Sequence, residues 1–146
     1  MKRFVSAILL SCGMAGTAQA DGYCDQIDRV MAQEEVSAFS LPAPFESKVK
    51  CQLSMTLKGG IAHHCGWPFA FRTSEARAAF EAMLDSVKEC MGEGAEVTTD
   101  LGANHPDTYD LKTFHTESGT VRVSLKDKGA LQQTYVFLRI EKAPAQ

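Results

Sequence analysis

The chain has 146 residues, of which 45% are hydrophobic and 23% charged, and its 15 basic and 18 acidic residues give a formal net charge of −3. This length fits one domain with a modest hydrophobic core. Nucleic-acid binding needs clustered basic residues, and the mildly acidic charge without such a cluster argues against a nucleic-acid partner.

The N-terminus has the pattern of an export signal. Lys2 and Arg3 precede an apolar segment at 4–16, and small residues occupy the −3 and −1 positions of a signal-peptidase site that ends at Ala20. The apolar segment is shorter than the roughly 20 residues of a transmembrane helix. We therefore expect residues 1–20 to be removed, leaving a periplasmic or secreted protein without a transmembrane segment.

A second processing site offers an alternative. The sequence Leu-Leu-Ser-Cys at 9–12 loosely resembles the box that precedes the lipid-modified cysteine of bacterial lipoproteins. Cleavage there would anchor the protein through Cys12. The bulky Leu10 beside the cut and the cleaner site at Ala20 favour the secreted form.

The cysteine count follows from the cleavage site. Removal of residues 1–20 takes Cys12 away and leaves four cysteines: Cys24, Cys51, Cys65 and Cys90. An even number in an exported chain predicts two disulfides and no free thiol. No Cys-x-x-Cys is present, so neither a dithiol redox motif nor a zinc knuckle is predicted.

A helix and a hairpin are predicted in the first half. Apolar residues at helical spacing predict a helix over about 23–38, and the alternation of apolar and polar residues predicts a strand over 51–57. A turn at 58–60 leads to a second strand over 61–71, in which Pro68 indicates an edge position or a bulge. We expect Trp67, with Phe69 and Phe71 at the same parity, to be core residues, although an aromatic binding surface or an edge that accepts a partner strand is an alternative.

The second half predicts one helix and three strands. Thr73 or Ser74 can cap a helix whose apolar stripe continues to about residue 90 and which ends at Gly92 and Gly94. After an irregular stretch at 95–106, strands are predicted near 109–116, 120–126 and 133–140. The last strand is apolar on both faces and should be central.

These elements predict an α+β fold: a helix, a two-stranded hairpin, a second helix and a three-stranded antiparallel meander, stapled by two disulfides. We expect a single domain at 21–141 and a disordered tail at 142–146.

The distances spanned by the predicted strands and helices favour one disulfide pairing. A three-residue loop at 58–60 would place Cys51 opposite Trp67, so that Cys65 would be only a diagonal neighbour. The returning helix could carry Cys90 back beside Cys65. We therefore favour Cys24 with Cys51 and Cys65 with Cys90, while the crossed pairings remain open.

Two places could carry chemistry. His63, His64 and Cys65 include metal-ligating types, but neighbouring strand residues point to opposite faces and a disulfide would consume the sulfur, so we expect no metal and no cofactor. The polar loop with Asn104, His105, Asp107 and Asp110 could supply an acid/base pair or an ion site, or simply form local turns. Nothing in the sequence brings His115 to this loop.

Catalytic motifs are otherwise missing from the sequence: there is no Gly-x-Ser-x-Gly elbow and no Gly-rich phosphate loop. We therefore predict a small exported binding or interaction domain of the cell envelope, with an unknown envelope protein or small ligand as its partner. A metal-dependent or acid/base enzyme that uses the loop from Asn104 to Asp110 is the alternative.

Overall fold

The computed structural model describes residues 18–32, 45, 49–57, 60–100 and 109–143. This part of the chain contains two α-helices, six β-strands and a 3-10 helix at Gly129–Leu131. The helices are α1 (Ala18–Met31) and α2 (Ser74–Met91), and the strands are β1 (Lys50–Met55), β2 (Ile61–Ala70), β3 (Glu96–Asp100), β4 (Tyr109–His115), β5 (Gly119–Lys128) and β6 (Gln133–Lys142).

All six strands form one antiparallel sheet in the order β1-β2-β6-β5-β4-β3. The α+β class and the presence of two disulfides are confirmed, and β6 is central as predicted. The predicted arrangement of a separate hairpin and a three-stranded meander is wrong. The hairpin joins the meander because β2 pairs with β6, and β3 adds a strand at the far edge.

The missed strand β3 and the missed pairing of β2 with β6 each have a physical explanation. All five residues of β3 are exposed, so this edge strand has no alternation of buried and exposed residues to reveal it. The pairing of β2 with β6 joins segments more than 60 residues apart, and a local pattern carries no information about it.

The two helices pack on one face of the sheet, here called the helix face. Its side chains form the core together with the apolar residues of both helices, and Trp67 and Phe69 are buried there as predicted. The core cluster comprises Tyr23, Ile27, Met31, Cys65, Trp67, Phe69, Ala76, Ala79, Phe80, Met83, Val87, Phe114, Val121, Val123, Leu125, Val136, Leu138 and Ile140.

The side chains at alternate positions of the same strands point to the opposite face. This open face carries Ser54, Ala62, His64, Gly66, Pro68, Tyr109, His115, Thr120, Arg122, Lys126, Tyr135, Phe137, Arg139 and Glu141. The described helices contribute their buried residues to the core on the other side, so neither covers the open face.

The ends of the helices follow local signals. The Thr73 hydroxyl accepts a hydrogen bond from the Ala76 amide at 3.3 Å, and Gly92 ends α2 with a positive φ of 71° while its amide bonds to Lys88 O. Helix α1 begins at Ala18 and ends at Met31, earlier at both ends than predicted. Residues 33–38 of the predicted first helix lie outside the described residues.

The disulfides join Cys24 to Cys90 and Cys51 to Cys65, so the favoured pairing of Cys24 with Cys51 and Cys65 with Cys90 is wrong. Met55 pairs with Ile61, so five residues rather than three connect the strands, and the register moves by two positions. This shift brings Cys51 directly opposite Cys65. Cys24 and Cys90 then cross-link α1 to α2.

Pro68 of β2 pairs with Tyr135 of β6. The pairing with β1 extends only to Lys50 opposite Gly66, while β6 continues on the other side of Pro68. The position opposite Pro68 in the β1 register is residue 48, which lies outside the described residues, so the edge position or bulge at Pro68 stays a prediction.

Other parts of the sequence-based predictions also lie outside the described residues: residues 1–17 of the export signal with Cys12, residues 58–59 of the predicted turn, residues 101–108 with Asn104, His105 and Asp107, and residues 144–146 of the tail. Lys142 belongs to β6, and the Ala143 amide donates to Ser118 O at 2.8 Å. Neither of the two described α-helices is long and apolar enough to cross a membrane.

Candidate ligand-binding cleft on the open face

Two central strands place three charged side chains side by side on the open face. Arg122 of β5 pairs with Arg139 of β6 in the sheet register, and Glu141 follows two positions further along β6 on the same face. Two arginines in register repel each other unless an anion lies between them. Glu141 supplies that anion.

The Glu141 carboxylate is held by both guanidinium groups. Arg139 donates from Nε to Oε1 at 2.7 Å and its Nη2 lies 2.6 Å from the same oxygen, while Nη1 of Arg122 lies 3.0 Å from Oε2. Arg139 also donates to the Ser54 hydroxyl of β1 at 3.4 Å. Burial alone would raise the pKa of Glu141, but the hydrogen bond from Arg139 and the charges of both arginines outweigh it and hold the pKa below its ordinary value.

A cleft of about 600 Å³ opens beside this charged cluster, at the end of the sheet where the β1–β2 loop, the β4–β5 turn and the end of β6 meet. The residues that line it are Thr56, Leu57, Gly60, His115, Thr116, Gly119, Thr120, Arg122, Arg139, Glu141, Lys142 and Ala143. His115 lies 3.4 Å from the Thr98 hydroxyl through Nε2. The lining includes the charged residues Arg122, Arg139 and Glu141 and the exposed apolar residue Leu57.

The charges in the cleft do not balance. Arg122 and Arg139 carry two positive charges and Glu141 carries one negative charge, so the cluster has one excess positive charge within a chain of net charge −3. Lys142 also lines the cleft, but it alternates with Glu141 along β6, so its side chain points toward the helix face and not beside the cluster. The cleft is therefore a local positive region of an acidic protein.

A row of stacked rings extends from the cluster along the open face. The ring centroids of His64 and Phe137 lie 5.1 Å apart, and those of Phe137 and Tyr135 lie 5.4 Å apart. Gly66 allows this arrangement, because a Cβ there would lie 2.8 Å from the Phe137 ring. Burial, and secondarily the charge of Arg139, lowers the pKa of His64, so this ring is neutral at neutral pH.

The two histidines of the metal site considered from the sequence, His63 and His64, lie on opposite faces of the sheet. His64 lies on the open face, whereas His63 lies on the helix face beside Cys51 and Cys65, with the ligand atoms of these three residues within 4.8 Å of one another. The two sulfur atoms are bonded to each other and offer no thiolate. Burial lowers the pKa of His63. This trio is therefore a disulfide beside a histidine.

Of the four side chains singled out in the predicted functional loop, Asp110 is the one that the structure describes. It lies on the helix face, where its Oδ2 accepts a hydrogen bond from Nη1 of Arg77 at 2.8 Å. The cleft opens on the other face, so Asp110 is not part of it. His115, which no sequence argument connected to the loop, lines the cleft instead.

The sequence analysis missed Arg122, Arg139 and Glu141. A signal for them exists: the two central strands contain the alternating sequences Val-Arg-Val at 121–123 and Leu-Arg-Ile-Glu at 138–141. Charged residues on one side of a central strand indicate an open face.

No protein-family model matches the chain, and a comparison with curated proteins finds no significant match. The geometry of the cleft therefore carries the functional inference.

Proposed function

We propose that this protein is an exported binding domain that holds a small ligand in the cleft on the open face of its sheet. The observation that carries the proposal is the position of the cleft, because it opens beside the Arg122–Glu141–Arg139 cluster on the face that the described helices leave uncovered. The helix face, by contrast, is packed into a core.

The dimensions of the cleft support a small molecule rather than a protein as the ligand. Pockets for small molecules have volumes of about 300–1,000 Å³ and combine apolar walls with a few placed polar groups. The cleft has this size and this mixture. An envelope protein that covers the open face is the other partner class, and the test below separates the two.

Export is the second part of the proposal. The two disulfides indicate an oxidising, extracellular compartment. The Lys2–Arg3 start and the small residues before Ala20 support cleavage between Ala20 and Asp21, in the first turn of α1. The core residues of α1, Tyr23, Ile27 and Met31, would remain in the mature chain.

A panel titration tests the binding function. The oxidised protein, labelled with 15N, is titrated at constant ionic strength with one small carboxylate, one phosphate monoester, one amine and one sugar. Binding in the cleft predicts saturable shifts, for at least one class, at the amides of β5 and β6 around Arg122 and Arg139. Shifts on the helix face alone, or none with any class, would contradict it, and a proteinaceous ligand would then be the remaining binding hypothesis.

The enzyme alternative makes a different prediction. An acid/base enzyme that uses Asn104, His105, Asp107 and Asp110 requires the loop side chains for activity, whereas the proposed cleft does not involve Asp110. Substitution of His105 by Ala is therefore expected to leave ligand binding in the cleft unchanged.

A further inference from the structure

We infer that the cleft binds small monocarboxylates, with the ligand carboxylate seated on the guanidinium group of Arg122. This inference rests on the proposed binding function and names its ligand class.

Arg122 has hydrogen-bonding capacity left for a ligand. Its contact with Glu141 uses Nη1, and its side chain is 36% exposed. Within the described residues, Nε and Nη2 of Arg122 have no hydrogen-bond partner. A guanidinium group presents five donors in a planar fork that matches the two oxygens of a carboxylate.

Arg139 and Glu141 position Arg122. Arg139 contacts Glu141 through two of its nitrogens and Ser54 through the third, and its side chain is only 29% exposed. The Glu141 carboxylate, 18% exposed, then holds Nη1 of Arg122. A preorganised donor loses less conformational entropy on binding than a free surface arginine. Arg122 is therefore the ligand-contacting cation, and Glu141 and Arg139 are positioning residues.

The charge of the cluster selects among anions. One excess positive charge is neutralised by a monoanion, whereas a phosphate monoester carries about −1.5 to −2 at pH 7 and would lie close to the Glu141 carboxylate. An amine would be repelled by the excess positive charge, and Glu141 is already occupied by two arginines. A carboxylate therefore matches the cluster better than the other charged classes.

The rest of the lining fits a short apolar or hydroxylated body. Leu57 offers an exposed apolar side chain, and Thr56, Thr116 and Ala143, each of which carries a methyl group, also line the cleft. Butyrate is a probe with both features, a carboxylate and a short alkyl chain.

The experiment compares butyrate with three matched probes of the same length or charge type: butyramide, butylamine and methyl phosphate. Binding to the oxidised protein is followed at pH 7 and constant ionic strength by 15N chemical shifts. We expect saturable binding of butyrate in the cleft and affinity at least about tenfold weaker for butyramide, since a hydrogen bond to a charged group is worth more than one to a neutral group.

Two variants locate the interaction. Arg122→Gln is expected to weaken butyrate binding about tenfold or more, and Arg122→Lys, which keeps the charge but removes the fork, to weaken it as well. Lys126→Gln removes a cation from the same face of the same strand outside the cleft and is expected to leave the affinity unchanged. Dispersed amide spectra of each variant establish that it is folded.

Three results would overturn the inference: equal affinity for butyramide, tighter binding of methyl phosphate or butylamine, or butyrate affinity unchanged in both Arg122 variants. In these cases the proposed binding function stands if the probe still shifts the cleft amides. If the panel titration shows that a sugar binds in the cleft and no carboxylate does, the monocarboxylate inference fails and the proposed binding function stands. If no probe of any class binds on the open face, the small-ligand function fails as well.

Discussion

Cys51 lies directly opposite Cys65 across the β1–β2 hairpin, with the two Cα atoms 4.0 Å apart. This disulfide ties an edge strand to its neighbour, whereas Cys24 and Cys90 tie the two helices together, with Cα atoms 5.0 Å apart. Each cross-link therefore secures a different layer of the protein.

The two disulfides should differ in their contribution to stability. The Cys24–Cys90 pair closes a loop with a sequence separation of 66 residues and the Cys51–Cys65 pair one of 14. In the chain-entropy description these loops correspond to about 4 and about 3 kcal/mol. We expect the double variant C24A/C90A to lose about 1 kcal/mol more free energy of unfolding than C51A/C65A in denaturant titrations. A larger loss for C51A/C65A would contradict this ranking.

A glycine series tests how closely the elements approach each other. A Cβ at Gly119 would lie 2.1 Å from the backbone oxygen of Glu141, whereas a Cβ at Gly66 meets the movable ring of Phe137. Gly119→Ala should therefore destabilise the protein by about 3 kcal/mol or more and Gly66→Ala by about 1–2 kcal/mol. Gly94→Ala is the control, because no atom lies within 4 Å of its Cβ. Equal midpoints of urea unfolding for Gly119→Ala and Gly94→Ala would contradict the close approach of Gly119 in β5 to the Glu141 backbone in β6.

Stability should fall as the pH drops from 7.5 to 5.5. The pKa values of His64 and His63 are lowered in the folded protein, mainly by burial. The unfolded chain therefore takes up protons below about pH 6.5 that the folded chain does not, and acidification favours unfolding. His64→Gln should reduce this dependence, measured as the midpoint of urea unfolding at both pH values. A midpoint that rises on acidification, or a slope unchanged by the substitution, would refute the prediction.

Glu141 does not contribute to the change in stability between pH 7.5 and pH 5.5. Its pKa is held below the ordinary value, so the stability it contributes is present above about pH 4.5 and is lost only as the pH falls through its folded pKa. The window from 5.5 to 7.5 lies above this range.

A buried carboxylate at the other end of the sheet should be costly to remove. Asp127 accepts a hydrogen bond from the Thr134 hydroxyl at 2.6 Å and from Nε of Arg72 at 2.8 Å, and the Arg72 amide donates to the Thr134 hydroxyl. Asp127→Ala removes the acceptor of the Thr134 hydroxyl and of Arg72 Nε and should cost about 2–4 kcal/mol. Asp85→Ala, on the exposed side of α2, should cost less than about 0.5 kcal/mol. Similar unfolding midpoints for the two variants would exclude a structural role for the network.

Local sequence signals predicted the elements that have local causes. Helix α2 follows from its Thr73 cap, its apolar stripe and Gly92, and β4, β5 and β6 follow from alternation between turns. Strand β3 has three consecutive β-branched residues at 97–99, but no buried side that would produce an alternating pattern. Exposure on both sides removes the signal on which strand prediction depends.

The disulfide pairing depends on the register between β1 and β2, and the cleft depends on which face of the sheet the helices cover. A loop two residues longer than expected was enough to exchange the partners of all four cysteines. Histidines and turn-rich loops mark candidate sites in a sequence, whereas the cluster beside the cleft consists of charged residues on central strands. Their significance appears only when β5 and β6 pair with Arg122 beside Arg139 and the helices occupy the other face.

The most direct test of the account is a crystal structure of the oxidised protein soaked with butyrate. We predict that the butyrate carboxylate lies within hydrogen-bond distance of Nε or Nη2 of Arg122, with its alkyl chain toward Leu57 and the Glu141–Arg139 pair intact. A butyrate bound at another surface of the molecule, or an Arg122 guanidinium that contacts only solvent at saturating butyrate, would contradict the account.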